Sequence, residues 1–207
     1  MEIDASQVIR DEAELGALYP PALERSVRKQ MDHLDDHCRA FIAASPMVIV
    51  GTQSGMADNS PRGDVPGFVK VADDHTLLIP DRRGNNRLDS LRNLVKNPVV
   101  GLLFLIPGVN ESFRVNGEAV ISRDPALTEQ FVMQGQAPRT VIVVKVKEAY
   151  IQCSRALVRS DLWNPAKHVE RRSLPSSGTI LADITRGRVG GAEYDAAYPE
   201  RLKATIY

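Results

Sequence analysis

Apolar side chains recur at Leu23, Val27, Met31, Leu34, Cys38, Phe41 and Ile42. Steps of three and four residues place them on one helical face, so the spacing predicts a long helix whose stripe packs on another element. Ahead of it, Asp4 or Ser6 can cap a short helix, and the YPP sequence at residues 19–21 interrupts. From Pro46 the pattern changes. The runs MVIVGTQ, GFVKVA, TLLIP, VVGLLFLI, SFRVNGEAVI and TVIVVKVK are short and separated by Gly, Pro, Asn and Asp clusters. Six such runs predict six strands in a closed or nearly closed antiparallel barrel. Two helices are expected among them. One covers Leu88 to Lys96, with Leu88, Leu91, Leu94 and Val95 apolar; the other lies in DPALTEQFVMQ, capped by Asp124 with Pro125 at its first position. The stretch from Arg171 to Tyr207 is polar and turn-rich, and reads as a tail that orders on another surface.

The expected class is therefore mainly β with flanking helices. Residues 1–44 form a helical segment packed on the barrel, residues 45–160 the barrel domain, and residues 161–207 a C-terminal extension ordered at a dimer interface. A chain of 207 residues buries an adequate core without disulfides or metal. The 26 basic residues balance 26 acidic ones, which removes the overall electrostatic footprint of a nucleic-acid binder. Any cationic site must be local. Two distant cysteines, Cys38 and Cys153, and a charged beginning without an apolar stretch point to free thiols in a reducing cytoplasm. The longest apolar run, Val99 to Ile106, is too short to cross a bilayer.

One local cation cluster stands out. TLLIPDRRGNNRLDSLRNL runs from a strand through a turn carrying Arg82, Arg83 and Arg87 into a helix. A helix N-terminus is already partly positive, so added cations suit an anionic ligand. Neither G-x-G-x-x-G after a strand nor G-x-x-x-x-G-K-[ST] occurs, so side chains must hold any phosphate. Arg87, Asn85, Asn86 and the first amides of the helix can do so. The alternative is a solvated loop whose arginines pair with Asp81 or Asp89. SPRGDVPGFVK adds Arg62 and Lys70 on an expected hairpin or bulged strand next to that turn. Elsewhere, His33 and His37 have metal-ligand spacing without a third ligand, so no metal is expected. Cys153, at a strand end, reads as a small buried thiol.

The segment from SPRGDVPGFVKVADD through FRVNGEAVIS, with the flanking VRKQMDHLDDHCRAFIAASP and CSRALVRSDLWNP, resembles the pyridoxamine 5'-phosphate oxidase-like, FMN-binding split-barrel superfamily. Within it, the chain is most similar to a branch of FMN-dependent enzymes with unassigned substrates. The resemblance implies a homodimer of six-stranded split barrels with FMN in two clefts between subunits. It implies that Arg62 and Lys70 meet the phosphate and the flavin's polar edge, and that Asn86 and Arg87 grip the phosphate. Arg114 and Asn116 of FRVNG correspond to polar residues facing the flavin, though Arg114 equally fits a solvent-facing strand position. Arg159, Ser160 and Trp163 fall where family members reach the partner's flavin; Trp163 also suits plain packing. The C-terminal arginine- and tryptophan-rich segment of true pyridoxamine phosphate oxidases has no counterpart in TRGRVGGAEYDAAYPERLKATIY. The implied function is hydride transfer through FMN to or from an unidentified small molecule, with no required acid or base. The alternatives are a non-catalytic flavin-binding or flavin-sensing dimer, and a split barrel using deazaflavin or haem.

Overall fold

The computed structural model describes residues 1–207. Strands β1 (Met47–Ser54), β2 (Met56–Gly63), β3 (Lys70–Asp73), β4 (Thr76–Pro80), β5 (Val99–Leu105), β6 (Ser112–Ser122) and β7 (Val141–Gln152) make one antiparallel sheet. Its order is β2-β1-β5-β6-β7-β4-β3, with seven strands where the apolar runs suggested six. The extra one is β2, MADNSPRG, which has no apolar alternation and is recruited by pairing with β1 from Met47↔Gly63 to Ser54↔Met56.

Alternation along the strands puts one face inward. Val48 and Val50 of β1, Leu77 and Ile79 of β4, Val100, Leu102 and Phe104 of β5, Val115 of β6 and Val144 of β7 share one buried cluster. Both halves of the sheet line that cluster, so the sheet curls around a single core. The curl does not close. β2 and β3 are the two edges and are not hydrogen-bonded to each other, so the barrel is not closed and has the open, split form that the resemblance implies. The connection between them crosses the opening and buries Phe68 and Val69 in the core.

At the N-terminal side the expected long helix is broken. Helices α1 (Glu12–Leu18) and α2 (Glu24–Arg28) bury no residue, and α3 (Asp36–Ala44) buries Cys38 and Ile42. Between α2 and α3, Met31 exchanges backbone hydrogen bonds with Ala149 at 3.0 and 2.8 Å, a strand-like pairing that a helix cannot make. Asp35 then starts a new helix by accepting from the Cys38 N–H at 2.8 Å. The stripe is thus divided. Leu34, Cys38 and Ile42 enter the core with Met31 and Phe41 against it, while Leu23 and Val27 stay exposed. Burial pushes the Cys38 thiol up to about 11. Cys153 is exposed, contrary to the buried thiol expected at this strand end.

Helix α4 (Asp89–Lys96) follows the arginine turn and packs on β1 through Asn93, whose amide donates to Thr52 Oγ1 at 3.1 Å. α5 (Pro125–Thr128) is capped by Asp124 as expected but is one turn long. After β7 come α6 (Arg155–Ser160), α7 (Ser177–Thr185) and α8 (Gly191–Thr205). The polar tail therefore contains two helices despite its weak periodicity. They meet where Gly178 lets backbones approach: a Cβ there would lie 2.4 Å from the Gly191 carbonyl. Asp195 of α8 accepts from the Gly178 N–H at 2.8 Å and from the Ser176 hydroxyl. No helix is long and apolar enough to cross a membrane.

Candidate functional site

Basic side chains converge where the two ends of the sheet approach. Arg62, on the inward-facing side of β2 opposite Val48, lies 4.0 Å from Asp81, just beyond β4. Arg82 Nε donates to Asp64 Oδ2 at 2.7 Å, and its Nη1 donates to the Phe131 carbonyl. The Lys70 ammonium donates to the Gln130 carbonyl at 2.7 Å and sits 4.8 Å from the Phe131 ring centre. Two reciprocal pairs, Arg62 with Asp81 and Asp64 with Arg82, thus bridge the split. The hairpin expected from SPRGDVPGFVK is not formed. β2 and β3 are opposite edges, and Arg62 and Lys70 come to one region because the sheet curls.

Electrostatics at this seam follow the burial. Burial raises the Asp81 carboxyl above its ordinary value, and Arg62 opposes only part of that. Burial also pulls Asp64 upward, but hydrogen bonds from the Tyr207 hydroxyl, the Val65 N–H and Arg82 outweigh it and leave Asp64 low. Tyr207 donates to Asp64 Oδ1 at 2.8 Å, and that bond raises the phenol.

The turn itself is more open. Arg87 Nε donates to Asp89 Oδ2 at 2.8 Å, the pairing of the solvated-loop alternative, yet the side chain remains 76% exposed. The Arg87 N–H is held by Asn85 Oδ1 at 3.0 Å. Asn86 and Leu88 adopt left-handed backbone, φ 59° and 61°, which folds the turn back onto α4; the Asn86 side chain is exposed. Arg83 makes no hydrogen bond or ion pair and is exposed.

Arg114 and Asn116 lie on the opposite, outer face of the sheet. Arg114 donates to the Tyr150 hydroxyl at 3.0 Å, and Asn116 donates to Glu148 Oε2 at 2.9 Å. Arg159 and Ser160 are exposed on α6, where the Ser160 hydroxyl donates to the Leu157 carbonyl at 3.1 Å. Trp163 is half-buried and its indole N–H donates to the Val109 carbonyl at 2.8 Å. No hydrogen bond or ion pair joins Arg114, Asn116, Arg159, Ser160 or Trp163 to the cations at the split. The sequence residues thus fall into three places in one chain: the seam, the outer sheet face and α6 with its following turn. Sequence reasoning passed over Asp64, the bonding of Arg82 and the role of Tyr207. The only available signal was the repeated pairing of a carboxylate and an arginine two residues or one residue apart, in Arg62–Asp64 and Asp81–Arg82.

A family model described as pyridoxamine 5'-phosphate oxidase matches residues 34–153, more than half of the chain. The chain belongs to this family. The pyridoxamine 5'-phosphate oxidase match spans every strand of the sheet together with α3 and α4, and leaves α1, α2 and the helical tail outside it. No curated protein matches the chain. Similar solved structures include HupZ of Group A Streptococcus, 14% identical, covering 57% of this chain and 99% of that one, with a TM-score of 0.48. General stress protein 26 of Bacillus anthracis is 16% identical, covering 54% of this chain and 88% of that one, TM-score 0.42. An FMN-binding protein of Syntrophomonas wolfei is 12% identical, covering 56% and 83%, TM-score 0.45.

Proposed function

We propose that the protein is an FMN-dependent oxidoreductase that passes hydride between flavin and an unidentified small molecule. The observation that carries this reading is the family match across the whole sheet, which includes Arg62, Lys70, Asn86 and Arg87. The residues present fit a phosphate. Arg87 is exposed and uses one guanidinium nitrogen on Asp89, so its remaining donors are free for phosphate oxygens. Asn86 lies beside it in a turn already bent by left-handed backbone, so little ordering is left to be done on binding. Arg62 lies 4.0 Å from Asp81 and donates from Nη1 to the Pro61 carbonyl, which leaves its Nη2 free at the mouth of the split.

FMN, when bound, supplies the hydride chemistry. The chain's part is binding, orientation and charge, and no side-chain acid or base is assigned. Arg114 and Asn116 face away from the core, so a flavin that used them would lie on the outer sheet surface. That placement supports a homodimer in which each flavin sits between chains, with Arg159, Ser160 and Trp163 serving the partner's cofactor. Residues 161–207 then order at the interface.

Denaturing the purified protein and weighing the released chromophore by mass spectrometry tests the cofactor. FMN is expected; deazaflavin or haem would replace this reading. A yellow colour that bleaches with a reduced nicotinamide and returns in air supports the oxidoreductase. A stable colour would leave a flavin-binding dimer. Sedimentation of apo and FMN-loaded protein tests the shared site, because a ligand that binds only the dimer must tighten it.

A further inference from the structure

Residues 1–28 form an arm that their own chain leaves uncovered. No hydrogen bond or ion pair runs from them to any residue beyond Gln30; the chain is first tied down at Lys29, whose ammonium donates to the Ile151 carbonyl at 2.7 Å. On α1, Leu15, Leu18 and Tyr19 fall at helical spacing and are all exposed, Leu18 by 64%. Gly16 lies within that stripe and opens a hollow bounded by Leu15, Tyr19, Pro20 and Pro21. Helices of seven and five residues do not hold in water by themselves, so the stripe needs a surface. The tail presents one. Ile180 and Ile184, one turn apart on α7, point away from the contact with α8 at Gly178 and are exposed, Ile184 by 72%.

Charge matches the two surfaces. Residues 1–24 hold six carboxylates against Arg10 alone, and the Met1 amine offsets only one of them. Residues 155–207 hold nine Lys and Arg against six Asp and Glu, a balance that stays positive with a carboxylate after Tyr207 counted. Seven of the nine lie between Arg155 and Arg188, on α6, α7 and the segment joining them. Glu12, one turn before Leu15, and Arg186, just after Ile184, are exposed and unpaired in the single chain. We propose that the arm is exchanged between two copies of this chain: the Leu15, Leu18 and Tyr19 stripe of one lies on Ile180 and Ile184 of α7 in the other, with Glu12 towards Arg186. Ile184 then enters the hollow at Gly16. The inference rests on the homodimer proposed above, and its twofold symmetry makes the contact twice. The arm's own α7 is not its seat, because both stripes are bare within one chain.

Cross-linking of the whole protein tests the exchange, in a Cys153→Ser background because Cys38 is buried. Chains carrying Leu15→Cys, mixed with chains carrying Ile184→Cys and treated with a short bismaleimide, should give a product of twice the chain mass. Leu15→Cys mixed with Met56→Cys, exposed at the other end of β2 from Asp64, should not. A chain carrying both Leu15→Cys and Ile184→Cys, diluted into excess Cys153→Ser protein, should form no internal link. Sedimentation adds a charge test. Glu12→Arg and Arg186→Glu should each loosen the dimer at least about fivefold, since two exposed pairs are reversed per dimer, and the two changes together should recover to within about twofold. Both residues are exposed, so neither change threatens the fold. No mixed product, an equal product with Met56→Cys, an internal link in the diluted double variant or a swap that fails to recover would each overturn the proposal. A dimer that persists without the mixed product overturns the exchange alone and leaves the shared flavin site; a chain that stays monomeric overturns both.

Discussion

Arg82 and Asp64, 18 residues apart in sequence, meet at 2.7 Å across the split in the sheet, where no backbone hydrogen bonds join the edges. The Asp64 side chain is 1% exposed and that of Arg82 15%. A buried pair is weak evidence of net stability, but removing one partner strands the other's charge.

Arg82→Ala is therefore expected to destabilise the fold by about 3 kcal/mol, measured by urea denaturation. Asp64→Asn should cost less, since the amide keeps the side chain's shape and one acceptor oxygen, which retains the bond from Tyr207 or the bond from Arg82 but not both. Equal losses from both would show that packing, not charge, holds the seam.

The two seam carboxylates should respond to acid in opposite directions. Asp64 lies below its ordinary 3.8 in the folded protein, so its contribution is complete above 3.8 and is lost as pH falls through the folded value. Asp81 is raised above 3.8, so it favours the fold below that pH, and this is lost as pH rises through its folded value. Urea midpoints from about pH 3 to 6 should fall less steeply in acid for Asp64→Asn. Asp81→Asn should remove a decline just above pH 3.8.

The broken N-terminal helix gives a sharp contrast between two apolar residues of the expected stripe. Ile42, 1% exposed in the core, should lose about 2 to 5 kcal/mol on Ile42→Ala. Val27, 60% exposed, should tolerate Val27→Asp within about 0.5 kcal/mol. A large loss for Val27→Asp in dilute monomeric protein would mean that α2 packs on the chain after all.

Arg87→Ala should weaken FMN relative to riboflavin by about 1.5 to 3 kcal/mol, the difference made by a charged hydrogen bond to phosphate. Flavin fluorescence titrations measure both ligands. Equal weakening would remove the phosphate assignment.

The apolar runs made β1 and β4 to β7 legible because each of those strands buries a face in the core. β2 was hidden because its inward residues are Asp58, Ser60 and Arg62. They are satisfied by side chains such as Ser90, whose hydroxyl donates to Asp58 at 2.7 Å, rather than by apolar packing. Helical spacing also ran through Met31 although its backbone pairs with Ala149, 118 positions later, and local periodicity carries no sign of so distant a partner. In the site, the family resemblance and the cation pattern singled out Arg62, Lys70 and Arg87. The crossed pairing with Asp64 and Asp81 depends on how far the sheet curls, which no local pattern encodes.

The unclosed ends of the sheet have a further consequence, for solubility. An exposed edge strand is a template on which a foreign strand can grow. β2 carries Pro61, which has no N–H to offer, among Asp58, Asn59 and Arg62. β3 is four residues long, and its register with β4 shifts between Val71 and Asp73. One edge is thus blunted by proline and charge and the other by shortness and irregularity, so the chain leaves its sheet open without inviting fibril growth from either side.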